Sequence, residues 1–310
     1  MKKLIIVSGI HRSGTSWIGK TLSSSKYNSY INEPFNPSNY INNSGTVQKF
    51  YWPLVDEQKN ILKSINNIID GKYPLKKNII RSSSFKDYLK SIYFFLNQKK
   101  NNILLNKENY IIKDPFLLFL IGDIIRFFQD THEVHINLTF RDPESFVASC
   151  KKKSWDFNFD NFLLQDSVFK KFEKKTTNKM IELNSNQYSL IDRLTFLWGI
   201  INDEIYKIST YKNVHICNHS EFSFKPHKKF EKLFNKNNLV FGKEVLKFID
   251  NTTQKKKENI THSIYSQNIV RHSSDISKYS KDSLTNNESD YILNHQGDRY
   301  EKLLNNMEFI

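Results

Sequence analysis

Short apolar runs alternate along this chain with stretches whose apolar residues recur every three or four positions. Residues 4–7 form an uninterrupted apolar run, the pattern of a strand covered on both faces. Residues 14–23 predict a helix, and residues 85–96 carry apolar side chains at 85, 89, 92, 93 and 96, the helical spacing. Residues 110–112 predict a short strand. Residues 116–128 are apolar nearly all round, which predicts a buried helix. Residues 135–140 alternate and read as a strand ending at Arg141. Asp142, Pro143 and Glu144 then supply an N-cap, a first-turn proline and a first-turn acid. Beyond them, 189–208 predict a long amphipathic helix, 214–217 a strand, and 228–234, 243–249 and 284–304 further helices. Strands alternating with helices predict an α/β fold with a central parallel sheet and helices on both faces. Ligands of such sheets collect at the carboxyl ends of the strands. There are no internal repeats. One domain over 1–310 is expected, with a mobile segment at 251–280 announced by a polar stretch and the lysines at 255–257.

Composition changes this picture little. The chain has 310 residues, 38% of them hydrophobic, with 24 Phe and 15 Tyr, enough for a sizeable core. Its formal charge of +14 is scattered rather than focused, which favours anionic ligands in general. Dispersed lysines do not form the arginine-and-aromatic surface of a nucleic-acid module. Cys150 and Cys217 make neither a disulfide framework nor a metal spacing, so two buried free thiols are expected. The apolar run at the N-terminus is too short for a signal peptide, and no stretch approaches a membrane span. A cytoplasmic protein is the expectation.

The chemistry sits in the run from Gly9 to Trp17, directly after the first strand. Gly9 and Gly14 have the spacing of a phosphate-binding loop, whose next residue is ordinarily a lysine reaching the outer phosphates. Here Thr15 takes that place, and the cation is Arg12, inside the loop. A strand–turn–helix cradle still offers main-chain N–H groups and a helix dipole to an anion. A second motif runs from Arg141 to Ser149. The arginine leaves a strand end, and the serine lies about two turns into the next helix. Guanidinium and hydroxyl could converge on a second phosphate, or the motif could be an ordinary helix cap beside a surface serine.

Together the two motifs resemble the 5′- and 3′-phosphate signatures of the sulfotransferase superfamily, which uses 3′-phosphoadenosine 5′-phosphosulfate (PAPS). The first matches from Arg12 to Trp17; the second matches at Arg141, Asp142, Pro143 and Ser149. Two weaker fragments, Asn32-Glu33-Pro34-Phe35-Asn36-Pro37 and Lys113-Asp114-Pro115, look like the bacterial and carbohydrate branches. The resemblance implies a P-loop-containing nucleotide hydrolase-like fold. It implies that Ser13, Gly14, Thr15 and Ser16 hold the 5′-phosphosulfate and that Arg12 neutralises charge on the bridging oxygen. It implies that Trp17 stacks on adenine, although a core anchor is an equal reading of that ring. Arg141 and Ser149 would bind the 3′-phosphate, with Arg271 as a further basic contact and the lysines at 255–257 in competition with it.

The activity implied is transfer of a sulfuryl group from PAPS to a hydroxyl or amine of an acceptor, expected to be a saccharide, with 3′-phosphoadenosine 5′-phosphate (PAP) as product. The acceptor needs a base. Where small-molecule relatives carry a histidine, this chain has Pro115, so that role cannot be carried over. Glu33 stands where carbohydrate-modifying relatives have a catalytic glutamate, with Asp114 as second candidate and Lys113 as a contact to the acceptor or the transferring group. A carboxylate shielded near an anion would have a raised pKa suited to proton abstraction, though Glu33 could also be an exposed loop acid. His215 and His219 have a ligand-like spacing but fall on a strand and its exit, without a third ligand, so no metal is expected. His11 shapes the loop. Glu221 is read as a structural or a catalytic acid. The aromatic residues Trp155, Phe157, Phe159, Phe162, Phe169 and Phe172 line an acceptor cleft or lid, or else form one face of a helix. The competing activity is a nucleoside-triphosphate enzyme such as a small-molecule kinase, which Thr15 and the arginine–serine element oppose.

Overall fold

The computed structural model describes residues 1–25, 27–36, 50–51, 55–70, 108–165, 170–185, 187–253 and 283–310. The helix predicted over 85–96, Phe169, the lysines at 255–257 and Arg271 lie outside the described residues. The architecture is α/β. Five strands, β1 (Lys2–Gly9), β2 (Asn28–Asn32), β3 (Asn109–Lys113), β4 (His132–Phe140) and β5 (Val214–Asn218), form one sheet in the order β2-β3-β1-β4-β5. β3 pairs in parallel with β1, Lys3 opposite Asn109 through Val7 opposite Lys113, and with β2, Asn28 opposite Asn109 through Asn32 opposite Lys113. After β3 the chain crosses to the other side of β1 in the strand order. The loop of Arg12 follows β1 in the chain, and the motif of Arg141 follows β4.

Contacts group the residues into two units. The first comprises 1–9, 27–136 and 157–189. It holds α2 (Val55–Ile69), a 3-10 helix (Pro115–Leu120), α3 (Ile121–Phe128), α5 (Asp160–Leu163) and α6 (Lys174–Leu183). Leu4, Ile5, Ile6 and Val7 are wholly buried, as their unbroken apolar run predicts. The single helix predicted over 116–128 is instead two pieces. Asp114 caps the first turn through the Phe116 N–H, Pro115 follows, and the backbone winds as 3-10 helix until Leu120 before relaxing into α3. Three of the aromatic residues singled out above, Phe157, Phe159 and Phe162, belong to the core. Tyr51, Phe119 and Phe172 pack against Phe162.

The second unit comprises 10–26, 137–156 and 190–310. It holds α1 (Thr15–Leu22), α4 (Pro143–Lys151), α7 (Leu190–Ile208), α8 (His219–Phe224), α9 (Pro226–Lys236), α10 (Lys243–Thr253) and α11 (Asn286–Asn306). The predicted start of α4 is present: the Asp142 carboxylate accepts the Ser145 N–H at 2.8 Å and Pro143 opens the helix. Phe146, Val147 and Ala148 bury one face of α4, and Leu194, Leu197, Trp198 and Ile201 bury that of α7. Lys151, at the end of α4, pairs with both oxygens of Glu288, which also completes a capping box with Thr285 at the start of α11. Glu221 pairs with Lys229, whose ammonium also donates to the Ile310 carbonyl at 2.6 Å. This acid therefore ties α8 to α9 and to the last residue. Among the described residues no helix is long and apolar enough to cross a membrane.

Candidate active site

The loop between β1 and α1 is shaped by three left-handed residues, Gly9 (φ 123°), Arg12 (φ 64°) and Gly14 (φ 89°). Glycine takes such a conformation at little cost, whereas arginine is strained by it. Gly14 is needed for a second reason. A Cβ there would lie 2.4 Å from Cδ2 of His219, the first residue of α8. No side chain caps α1 and no acid stands in its first turn, and the positive end of a helix attracts anions in general.

The two motifs meet in this unit. Nε of Arg12 donates to the Ser149 hydroxyl at 3.2 Å, and Nη1 of Arg141 donates to the Arg12 carbonyl at 2.8 Å. Arg141 is 1% exposed, and its own carbonyl accepts the Trp198 indole N–H at 2.9 Å. Two guanidinium groups and a hydroxyl thus gather at a helix start, a strongly anion-attracting arrangement. The Ser13 side chain points into the protein, bonded to the Ile10 carbonyl and the Thr139 hydroxyl. Of Ser13, the side chain braces the loop. Thr15 is buried, Ser16 half-buried. Trp17 is half-buried, with its N–H on the Thr252 hydroxyl at 3.1 Å and its edge against Phe230 at 5.0 Å. The ring is fixed in place by α9 and α10.

His11 lies beneath the loop among Phe146, Trp155 and the Cys150 thiol, 3.7 Å from its Nε2. Burial, helped by the Arg12 charge, pushes its pKa down to about 3, so the imidazole is neutral and shapes the loop rather than charging it. Burial raises the Cys150 thiol to about 12, with Arg12 and Arg141 pulling the other way.

The remaining candidates belong to the other unit. Lys113, 1% exposed, forms an ion pair with Oε1 of Glu33, whose side chain is 14% exposed. Oε2 of Glu33 accepts the Asn36 amide at 2.7 Å. Glu33 is itself left-handed (φ 48°), and its N–H donates to the Lys113 carbonyl at 2.6 Å. Asp114 is fully buried, accepting the Phe35 N–H at Oδ2 (2.7 Å) and the Phe116 N–H at Oδ1 (3.0 Å). Its pKa is pushed up to about 7, first by burial and then by the Glu33 charge, against the two main-chain bonds and Lys113.

No family model matches the chain, and no curated protein matches it. Solved structures similar to it include the sulfotransferase domain from the curacin biosynthetic pathway (12% identity, TM-score 0.45, covering 96% of this chain and 97% of that one). Sulfotransferase STF9 from Mycobacterium avium is another (12% identity, TM-score 0.44, 99% and 78%). A third is the sulfotransferase domain from the Synechococcus PCC 7002 olefin synthase (10% identity, TM-score 0.39, 91% and 93%). These neighbours are all described as sulfotransferases.

Among the described residues no cluster of histidine, cysteine and acidic side chains could hold a metal ion. The sequence does not signal the contact of His219 with Gly14, which joins distant parts of the chain. Thr139 and Thr252 were missed as well. They reach the loop and Trp17 from 126 and 235 residues away, and no local spacing signals such contacts.

Proposed function

We propose that this chain is a sulfotransferase that uses PAPS and delivers the sulfuryl group to a hydroxyl or amine of an acceptor, with saccharides as the acceptor class. The observation that carries this reading is the meeting of Arg12, Ser149 and Arg141 at an uncapped helix start. Such a cluster suits a ligand with two phosphate groups, and Thr15 replaces the lysine that a nucleoside-triphosphate loop needs. Ser13 would hold the loop's shape, its N–H being on the Ile10 carbonyl at 3.3 Å. Residues 14–16 would take the 5′-phosphosulfate mainly through main-chain N–H groups, and Arg141 and Ser149 the 3′-phosphate. The half-buried ring of Trp17 would meet the base.

PAPS, when bound, supplies an activated sulfur whose bond to the bridging phosphate oxygen breaks as a bond to the acceptor oxygen forms. Arg12 would stabilise the negative charge left on the departing oxygen. Glu33 would take the acceptor's proton, and PAP would leave. A sulfuryl group carries less charge than a phosphoryl, so the reading requires no metal. Positioning and charge stabilisation do most of the work, as in phosphoryl transfer.

Calorimetry with PAP and with ADP plus magnesium tests the donor assignment. Tighter binding of PAP is expected. Tighter binding of ADP with magnesium would overturn the proposal in favour of a kinase-like enzyme. A screen of glycans with PAPS would then identify the acceptor.

A further inference from the structure

We propose that Asp114 is a positioning residue, a buried carboxylate clamp that fixes the loop carrying Glu33; its value to the reaction rests on the function proposed above. Each oxygen of Asp114 already accepts a main-chain N–H, one from Phe35 in the loop after β2 and one from Phe116 in the 3-10 helix after β3. Its own N–H donates to the Val7 carbonyl near the end of β1 at 2.9 Å. One side chain and one amide thus join the carboxyl ends of three neighbouring strands. With both oxygens engaged and no exposed surface, Asp114 is badly placed to take a proton from a substrate. It is well placed to hold something else still.

The thing held is Glu33. Its left-handed backbone strains a residue with a side chain, and such strain persists only where the surroundings over-determine it. Lys113 and Asn36 fix its side chain, and its N–H is fixed by the Lys113 carbonyl. Two residues on, Asp114 fixes the Phe35 amide. The charged groups that act on Asp114 are Glu33 and Lys113, and they act on it in opposite directions. The Lys113–Glu33 pair therefore sets the charge around a clamp that in turn sets the geometry of the pair. On this account Asp114 is not the alternative base but the support of Glu33.

The test uses the full chain and the variants D114N, E33Q and E33Q/D114N. D114N keeps the side chain's shape but replaces the carboxylate acceptors with a neutral amide, which weakens the bond to the N–H its oxygen still faces and removes the other. Three quantities are measured: amide hydrogen exchange over residues 30–36, PAP affinity, and kcat and KM with an acceptor from the glycan screen. In D114N the Phe35 amide should exchange at least about tenfold faster, by loss of its carboxylate partner. PAP affinity and the KM for PAPS should stay within about threefold, while kcat falls. The double variant should be no slower than E33Q, since residues acting as one unit are not additive. Unchanged exchange at Phe35, or additive losses in the double variant, overturns the clamp. If D114N does not fold, exchange of the Phe35 amide in the unmodified chain decides: slow exchange supports the clamp and fast exchange overturns it. Failure of the unmodified chain to bind PAP overturns the sulfotransferase reading instead, and the exchange data then judge the clamp alone.

Discussion

Arg12 and Arg141 belong to one hydrogen-bonded cluster yet should fail differently when replaced. Arg12 is half-buried, with its Nε on the Ser149 hydroxyl. As it is the donor proposed for the leaving oxygen, R12A is expected to slow transfer roughly 10²–10³-fold, the usual loss of one preorganised donor, with a smaller effect on PAP affinity. Arg141 is buried and forked between the loop and the proposed 3′-phosphate position. R141K keeps the charge but not the fork, and calorimetry should show PAP binding weakened by about tenfold or more. Titration separates two other residues. The folded Asp114 holds a proton up to about pH 7, whereas an unfolded aspartate releases it near its ordinary value of 3.8. Its contribution to stability therefore falls as pH rises between those values. His11 works in the opposite sense. Its pKa is lowered from 6.5 to about 3, so stability from this group is lost as pH falls through that window. The two slopes oppose each other over much of the same range. D114N should expose the histidine slope, and its urea midpoint should fall more steeply below about pH 6 than that of the unmodified chain. Arg12, Arg141 and Ser149 were legible in the sequence because their spacing from a strand end is local. The inward turn of Ser13 and the approach of His219 were not, since each depends on a residue more than a hundred positions away.

At the scale of elements, the loop and α1 depend on one absent methyl group. G14A must place a Cβ against the His219 imidazole while adopting φ 89°, so thermal melting should show a loss of about 1–3 kcal/mol. G14A/H219A should recover only the steric part of that loss, because the backbone strain remains. Glu288 serves two elements together, capping α11 and pairing with the last residue of α4. E288A should cost about 1 kcal/mol, mostly the cap, and K151A less, since half-exposed ion pairs contribute little. The strands and most helices followed from apolar spacing. β2 did not, because its sequence Asn-Ser-Tyr-Ile-Asn is polar. It is a strand because its polar groups are met by β3: the Asn109 amide donates to Asn28 at 2.8 Å, and the Ser29 hydroxyl to the Asn109 carbonyl at 3.2 Å. The 3-10 helix was equally hidden, since an apolar run says that a segment is buried without saying how tightly it winds.

For the whole molecule, the dispersed charge of +14 draws anions broadly, and selectivity is assigned to the arginine cluster only under the function proposed above. PAP at about a hundred times its dissociation constant should add about 2.7 kcal/mol of stability, visible as a rise in melting temperature that adenosine 5′-monophosphate does not match. The α/β character was readable from the alternation of strands and helices. The grouping into two sets of contacts was not, since the chain passes between them several times. A practical consequence follows from the two thiols. Cys150 and Cys217 are both buried, and burial raises the pKa of each. Thiolate is the reactive form, so Ellman's reagent should find no group to modify until denaturant is added, and then two. Reductant can be left out of every buffer, and a single cysteine engineered on the surface would accept a maleimide dye at that position alone, giving a ready-made reporter for ligand binding.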